Sequence, residues 1–280
     1  MTATELLTPL SIALVFAMAI TAGLKVGIDE IVSSLGRTRL IVLGLVASFI
    51  LVPLITVVLL HLFQAPPLVS AGFLIVSVCA GAPFSVPGTT VAKGDVPYAV
   101  DLMIISAALS AILAPLLLAL LLARLPGAGS LTIDYFGIAK TLLISQIIPL
   151  ALALAFHHWK PDVAARLAKP MEMVQNLLVV AVVVCGLIAQ WNQLAKFSLW
   201  AFGGMLLLVL IGTLVGWILG GPEKETRKAL AFSTPQRNTG IAMVIASANF
   251  AGTPAVTVTV VLAVFLTLSG LIMQFVLRRL

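Results

Sequence analysis

An apolar segment interrupted by polar residues lies between Ala229 and Phe250, with the sequence ALAFSTPQRNTGIAMVIASANF. Apolar runs on both sides predict a membrane helix, but Pro235 removes a backbone donor and pushes Thr234 away from helical geometry. Backbone groups freed by such a break cannot face lipid, so they are buried in protein or line a watered cavity. Arg237 lies inside the break, and charged residues at that depth usually mark a substrate or ion pathway.

A second interruption occurs in the apolar run that begins near Leu68. It spans Gly81 to Thr90, with the sequence GAPFSVPGTT. Two spans interrupted by glycine or proline, at corresponding places in two halves of a chain, indicate a transporter whose site lies where inverted repeats meet. The residues expected to line this crossing of the two breaks are Pro83, Ser85, Val86, Pro87, Gly88, Thr89, Ser233, Thr234, Pro235, Gln236, Arg237, Asn238 and Thr239.

The composition leaves little chain for any domain outside a membrane. Hydrophobic residues make up 61% of the 280 positions and charged residues 9%, whereas soluble domains carry roughly 25% charged residues. With about 20 apolar residues per crossing, the sequence predicts an all-α polytopic membrane protein of nine spans. Their expected ranges are 6–24, 39–62, 68–92, 97–123, 133–156, 171–189, 198–220, 225–249 and 254–277, the third and the eighth being broken.

The spans divide into two expected repeats within one transmembrane domain, 1–280. Residues 6–123 form a first repeat of four spans, and residues 133–277 form a second repeat of five. A five-span unit duplicated in place is inverted in the membrane, so the first repeat lacks its opening helix. In this register the two breaks are equivalent positions, and the two broken helices are expected to cross.

The basic residues predict the orientation. With the N-terminus outside, the inner loops and tail hold 12 of the 16 Lys and Arg residues, whereas the outer loops hold only Arg124 and Lys196. Positive charge favours the cytoplasmic side, so an inner- or plasma-membrane protein with a cytoplasmic C-terminus is expected. The net charge of +6 is explained in the same way and needs no nucleic-acid partner.

No cleaved signal peptide is expected, because a basic n-region and a clear small-residue cleavage site are lacking.

At the two breaks the chain resembles the bile acid:sodium symporter family. The similar residues are Cys79 to Val96, which end in AKGDV, then Pro115, and Gln236 to Gly240. The order of spans from Glu5 onward is similar too, and the missing first helix matches the nine-span members. The resemblance implies a panel domain, a core domain with two crossing broken helices, and two sodium ions behind the crossing. It also implies alternating-access transport of bile acids or smaller organic anions.

The positions that hold sodium in that family differ in this chain. The resemblance places the family's glutamate on Ser233 and its glutamine on Arg237. A hard cation needs several oxygen ligands, whereas the guanidinium of arginine stays protonated. At about 4 Å and an effective dielectric near 20, two like unit charges repel by about 4 kcal/mol, which disfavours sodium beside Arg237. The other former sodium positions implied by the resemblance are Ser48, Ser85, Val86, Ala99 and Met103.

Three roles are open for Arg237. As a tethered cation it would take the place of sodium and donate to carbonyls freed by both breaks; alternatively it would pair with a substrate carboxylate or form a structural ion pair. Asp101 is a candidate acidic partner or proton site. Helical spacing places Asp101 about 200° around its helix from Ala99 and Met103, so it is expected to face away from them, and an interfacial role is equally open.

The expected function is secondary transport of an organic anion, bile-acid-like or a small carboxylate, without sodium. The alternatives are a sodium-coupled symporter with a relocated ion site and an arsenite-type efflux permease. Arsenite-efflux relatives use a cysteine in the first broken helix, but Cys79 is expected to precede the break at Pro83. An enzyme is disfavoured because no catalytic or metal-ligating cluster lies at membrane depth. No cofactor is expected, and the expected partners are the substrate and the lipid bilayer.

Overall fold

The structure is a computed structural model that describes residues 3–25, 37–123, 134–194 and 199–280. Within these ranges it is all-helical and contains no strand. The helices are α1 (Ala3–Lys25), α2 (Thr38–Val46), α3 (Val52–Leu62), α4 (Pro67–Val78), α5 (Ser85–Val91), α6 (Val96–Leu122), α7 (Tyr135–Leu142), α8 (Ile148–Trp159), α9 (Pro161–Ala189), α10 (Trp191–Leu194), α11 (Leu199–Leu219), α12 (Lys224–Ser233), α13 (Thr239–Asn249) and α14 (Pro254–Arg279). Five-residue π-helical turns, Ala47–Leu51 and Leu143–Ile147, join α2 to α3 and α7 to α8.

Seven helical segments in the described ranges are long and apolar enough to cross a membrane. They are Glu5–Lys25, Thr38–Leu62, Val96–Leu122, Tyr135–Trp159, Pro161–Ala189, Trp200–Leu219 and Pro254–Arg279. The chain is therefore a polytopic helical membrane protein. The two other expected spans, 68–92 and 225–249, are each divided into two short helices, α4 with α5 and α12 with α13.

The helix that contains one expected span begins ten residues before that span. The span expected at 171–189 belongs to α9, a helix of 29 residues that begins at Pro161. Arg166 and Lys169, expected in a loop, lie on this helix. Charge keeps a segment out of the hydrocarbon core but does not prevent it from being helical, and proline is tolerated in the first turn. Positions 133 and 198, where two expected spans begin, lie outside the described residues, as do Arg124 and Lys196.

The helices pack in two groups. In the first group, α1 lies along α9 and also packs on α8. In the second, α4 packs on α14, α11 packs on α12, and α6 contacts both α4 and α5. The groups meet where α1 contacts α13 and where α6 contacts α7. The helix that follows the second break thus lies at the boundary between them.

The first break begins earlier than expected. Helix α4 ends at Val78 and α5 begins at Ser85, so Cys79 lies within the break, whereas the sequence placed it before the break. Gly81 has a φ of +83°, which a helix cannot accommodate, and α4 ends three residues ahead of it. Pro87 lies in the first turn of α5, where proline does not interrupt a helix. The second break agrees with expectation, since 234–238 separate α12 from α13.

Asp95 joins three elements at one end of the second group. Its carboxylate caps α6 by accepting the backbone N–H of Tyr98 at 3.0 Å, and it pairs with Arg37 at 2.5 Å. Its own backbone N–H donates to the carbonyl of Glu225 at 2.9 Å. The AKGDV sequence that follows α5 thus ties the start of α6 to the start of α12.

Removing the Asp95 side chain is expected to destabilise this end of the protein. For Asp95→Ala we expect a loss of about 1–3 kcal/mol in the free energy of unfolding, the sum of a lost helix cap and a partly exposed ion pair. Asp95→Asn keeps a capping oxygen and is expected to cost less than about 1 kcal/mol. Thermal unfolding of the two purified variants in detergent measures this. Equal losses for both variants would contradict the role of the cap.

Candidate functional site

A cavity of about 1010 Å³ lies between the two helix groups. One wall comes from α1 and α9, which contribute the ion pair between Lys25 and Glu172, with 2.8 Å between the charged atoms. The opposite wall comes from α6, α14 and the two breaks. Of the residues expected at the crossing, those that line the cavity are Pro83, Val86, Pro87, Gln236, Arg237 and Thr239.

The other residues expected at the crossing lie around the cavity without lining it. They are Ser85, Gly88, Thr89, Ser233, Thr234, Pro235 and Asn238. Gly88 lies against the ring of Phe232, since a Cβ built on Gly88 would come within 2.0 Å of two ring carbons. Helices α5 and α12 therefore approach each other closely just beside the crossing.

Asp101 and Met103 both line the large cavity, as do Val96, Pro97 and Val100 on the same helix. The expectation from helical spacing, that Asp101 faces away from Ala99 and Met103, stays a prediction. Ala99 is the residue that points elsewhere, because it is fully buried beside Tyr98 and Leu230.

Asn238 joins the two breaks directly. Its backbone N–H donates to the carbonyl of Cys79 at 2.8 Å. Its side-chain Nδ2 donates to the carbonyl of Gly81 at 3.2 Å, and its Oδ1 accepts from the backbone N–H of Ile241 at 3.2 Å. One residue thus caps α13 and holds the first break against the second.

Arg237 is buried at the same crossing, with only 3% of its surface exposed. Its Nη1 donates to the carbonyl of Ser48 at 3.0 Å and to that of Ser77 at 3.3 Å. Its Nη2 donates to the carbonyl of Thr234. Within the described part of the chain its Nε has no hydrogen-bond partner. The guanidinium therefore binds three carbonyls with three of its five N–H donors.

Each of these carbonyls has lost its helical partner for a separate reason. In the π-helical turn Val52 donates to Ala47, and the next donor at that spacing is Pro53, which has no N–H, so the Ser48 carbonyl is left free. Ser77 lies one residue before the end of α4, where carbonyls lack intrahelical donors.

The Thr234 carbonyl is freed by the crossing itself. The backbone N–H four residues on, that of Asn238, donates instead to Cys79 in the first break. Buried carbonyls require donors. Arg237 thus satisfies carbonyls at three helix interruptions, in 38–62, in the first broken span and in the second.

The former sodium positions are poor in oxygen ligands. Val86, Ala99 and Met103 are apolar, and the hydroxyl of Ser85 donates to the carbonyl of Ala82 at 2.7 Å. The Ser233 hydroxyl is buried and has no partner within the described ranges. Without a carboxylate, this set is weak for a hard cation.

Sequence reasoning missed the π-helical turns at Ala47–Leu51 and Leu143–Ile147 and the Ser48 carbonyl, which lies outside the two breaks where acceptors for Arg237 were expected. A signal was present, because Pro53 and Pro149 each follow a π-helical turn by two residues. Both prolines remove a backbone donor within an apolar span. Proline in such a span therefore indicates both a kink and a free carbonyl that a side chain elsewhere can satisfy.

Comparison with known proteins places this geometry in context. A model of the Sodium Bile acid symporter family matches residues 11–214. The chain is 27% identical over 246 residues to the ileal sodium/bile acid cotransporter of Homo sapiens, an alignment that covers 87% of this chain and 70% of that protein. It is 25% identical over 251 residues to an uncharacterized sodium-dependent transporter of Bacillus subtilis, covering 89% and 76% of the two chains. A probable chloroplastic sodium/metabolite cotransporter of Oryza sativa subsp. japonica is 25% identical over 269 residues, covering 90% of this chain and 60% of the relative.

Proposed function

This chain belongs to the Sodium Bile acid symporter family, and we propose that it carries an organic anion by alternating access without sodium coupling. The observation that carries the proposal is the position of Arg237, whose guanidinium donates to carbonyls of Ser48, Ser77 and Thr234. In sodium-coupled relatives a bound cation is expected to hold the crossing together. Here the cation is covalently attached to the chain.

Electrostatics explains why a fixed cation excludes sodium. Two unit positive charges at about 4 Å repel by about 4 kcal/mol at an effective dielectric near 20, which weakens sodium binding about a thousandfold. No carboxylate stands at the glutamate position in compensation, since Ser233 occupies it. The names of the relatives point to sodium coupling in those proteins; this chain departs from them at the residues that would hold the ion.

The same arginine favours an anionic substrate. Its two terminal nitrogens hold the crossing, its Nε is buried and has no hydrogen-bond partner within the described residues, and the residue lines the cavity. Its positive charge therefore lies at the cavity wall and favours an anion there. Thr239, the first residue of α13, also lines the cavity, and the positive end of the helix dipole adds to the preference for an anion.

The proposed architecture has nine spans in two inverted repeats, 6–123 and 133–277, with the N-terminus outside and the C-terminus cytoplasmic. Packing at the breaks supports the repeats: α4 contacts α13, and α5 contacts α12. A pseudo-twofold axis that relates α4 to α12 and α5 to α13 would make these two contacts equivalent. Alternating access then consists of movement of the second helix group against the first.

Arsenite-type efflux is the weaker alternative. Cys79 lies in the first break, which favours it, but the residue is fully buried and is not among those that line the large cavity. A thiolate that is to bind a substrate must be accessible. The other alternative, sodium coupling through a relocated site, is separated from the proposal by experiment.

Ligand-induced stabilisation tests the proposed function. Purified protein is heated with taurocholate, cholate, lactate, malate or succinate in sodium buffer and in choline buffer of equal ionic strength. A ligand that binds the folded state raises its apparent stability by mass action. We expect at least one anion to stabilise the protein equally in both buffers, and to show counterflow in proteoliposomes, as a carrier does. Stabilisation that requires sodium would contradict the proposal, and conductance far above carrier turnover would indicate a channel.

A further inference from the structure

Gln146 lies in an unusual setting on the wall opposite the crossing. It belongs to the π-helical turn Leu143–Ile147, in which the N–H of Ile148 reaches back to Leu143. Only 4% of its surface is exposed. Its Nε2 donates to the carbonyl of Ala107 on α6, and its Oε1 has no hydrogen-bond partner in the part of the chain that the structure describes. Buried acceptors without donors are rare, and π-helical turns occur frequently at functional sites.

The Gln146 side chain lines a small cavity of about 30 Å³. We call this cavity the deep subsite. It shares Met18, Ala22, Pro83 and Met103 with the large cavity, so the two adjoin. Asn238 lines the deep subsite from the crossing side. An amide from the first helix group and an amide from the second thus meet at its walls.

We propose that the deep subsite binds a hydroxyl group of the transported anion, with Gln146 as the specificity-determining residue. This inference rests on the proposed function, and it narrows the substrate class to hydroxylated carboxylates. A water-sized group needs about 10–15 Å³ of such space, so the deep subsite holds a hydroxyl or a hydroxymethyl group but not a ring. The carboxylate of the substrate remains in the large cavity, where Arg237 lies.

Hydrogen-bond chemistry selects a hydroxyl over other small groups. The free Oε1 of Gln146 is an acceptor and requires a donor, which excludes a carboxylate from the deep subsite. Asn238 uses Nδ2 to bond Gly81, and this NH₂ group carries a second hydrogen. A hydroxyl can donate to Gln146 and accept from Asn238 at once, whereas an ammonium group can only donate.

The inference predicts discrimination between matched anions. Binding is measured by thermal stabilisation and calorimetry for malate against succinate, lactate against propionate, and cholate against cholanate, which lacks the hydroxyls. Leaving the buried acceptor unpaired costs the deoxy ligand at least about fivefold in affinity. We expect this preference in the wild-type protein for at least one pair, in sodium and in choline alike.

Two variants remove the preference by independent routes. Gln146→Met keeps the side-chain volume but has no acceptor of comparable strength. Ala19→Val, on α1, adds two methyl groups to the wall of the deep subsite and leaves Gln146 intact. Each is expected to bring the ratio of affinities close to one, chiefly by weakening the hydroxylated ligand. Gln274→Met is the matched control, since Gln274 is a buried glutamine that lines neither cavity, and it is expected to keep the wild-type ratio.

The outcomes separate this inference from the proposed function. Anions that bind without sodium but show no hydroxyl preference in any pair would overturn the inference and leave sodium-independent transport in place. A preference that persists in both Gln146→Met and Ala19→Val would also overturn it. Failure of every anion to bind would overturn the proposed function and the inference together. Loss of the preference in Gln146→Met, with the control unchanged, supports it, whereas a preference that persists in Gln146→Met would show that Gln146 does not determine specificity.

Discussion

Replacing Arg237 with glutamine is expected to lower the free energy of unfolding by at least about 2 kcal/mol. The carbonyls of Ser48, Ser77 and Thr234 now share one guanidinium, and a glutamine amide can reach one of them. Each buried acceptor left without a donor costs about 1–3 kcal/mol, so two together cost about 2–6 kcal/mol. Relief from burying a charge offsets part of this cost, so we expect a net loss in the lower half of that range, about 2–4 kcal/mol. The apparent melting temperature is expected to fall by at least about 5 °C.

Sodium is not expected to rescue this variant. The resemblance to the family places a glutamine at this position, but Ser233, Val86 and Ala99 still supply no carboxylate. The measurement is thermal unfolding of Arg237→Gln in a sodium series at constant ionic strength. Lys140→Gln is the matched control, because it removes one positive charge from an exposed position on α7. Stability equal to that of the control would show that Arg237 does not hold the crossing. Recovery on adding sodium would contradict only the expectation that the variant lacks a sodium site, because it would show that sodium can replace the guanidinium.

Gly81→Ala adds a single methyl group in the first break and is expected to lower the free energy of unfolding strongly. Gly81 has a φ of +83°, and a Cβ built there would lie 2.3 Å from the backbone nitrogen of Ala107 on α6. The left-handed conformation costs alanine about 1–2 kcal/mol, and crowding against backbone adds about 1–3 kcal/mol. We expect the free energy of unfolding to fall by about 2–5 kcal/mol in total. The carbonyl of Gly81 accepts from Asn238, so transport is expected to fall with stability.

Two other glycines separate the cost of the left-handed backbone conformation from the cost of crowding. Gly252 has a φ of +72° with no atom within 4 Å of an added Cβ, so Gly252→Ala is expected to lose only the conformational part, about 1–2 kcal/mol. Gly203 lies in α11 with equally open surroundings, and Gly203→Ala is expected to be neutral or to stabilise by up to about 1 kcal/mol. Thermal unfolding of the three variants is compared. A loss for Gly81→Ala no larger than for Gly252→Ala would contradict the close approach of the first break to α6.

Local chemistry made the breaks predictable. Pro235 within STPQRN, and Gly81 with Pro83 ahead of Ser85, cannot continue a helix, and both positions are non-helical in the structure. The bounds of the first break were less accurate, because Pro87 suggested a break but lies in the first turn of α5. A single residue type thus interrupts or begins a helix according to its neighbours.

Carbonyls freed by the breaks were expected as acceptors of Arg237, but the residues that carry them could not be predicted, because most are distant in sequence and all are backbone atoms. The Ser48 and Ser77 carbonyls lie 189 and 160 positions away from it. Any residue type can supply a backbone acceptor, so the sequence does not reveal one. The exception is the Ser48 carbonyl, which is free because Pro53 has no N–H. Gln146 was missed for a similar reason: an isolated glutamine in an apolar span carries no pattern, and its setting depends on a π-helical turn and on Ala107 in another helix.

The most direct test of the central claim is the initial rate of anion uptake into proteoliposomes. An anion that stabilises the purified protein is supplied outside under an inward sodium gradient, and in a parallel sample choline replaces sodium. The membrane potential is clamped with potassium and valinomycin in both samples. If Arg237 takes the place of sodium, uptake is saturable and its rate is the same in the two samples. A rate that rises and saturates with external sodium would contradict the account, because it would show that the transport cycle requires an ion in addition to the guanidinium.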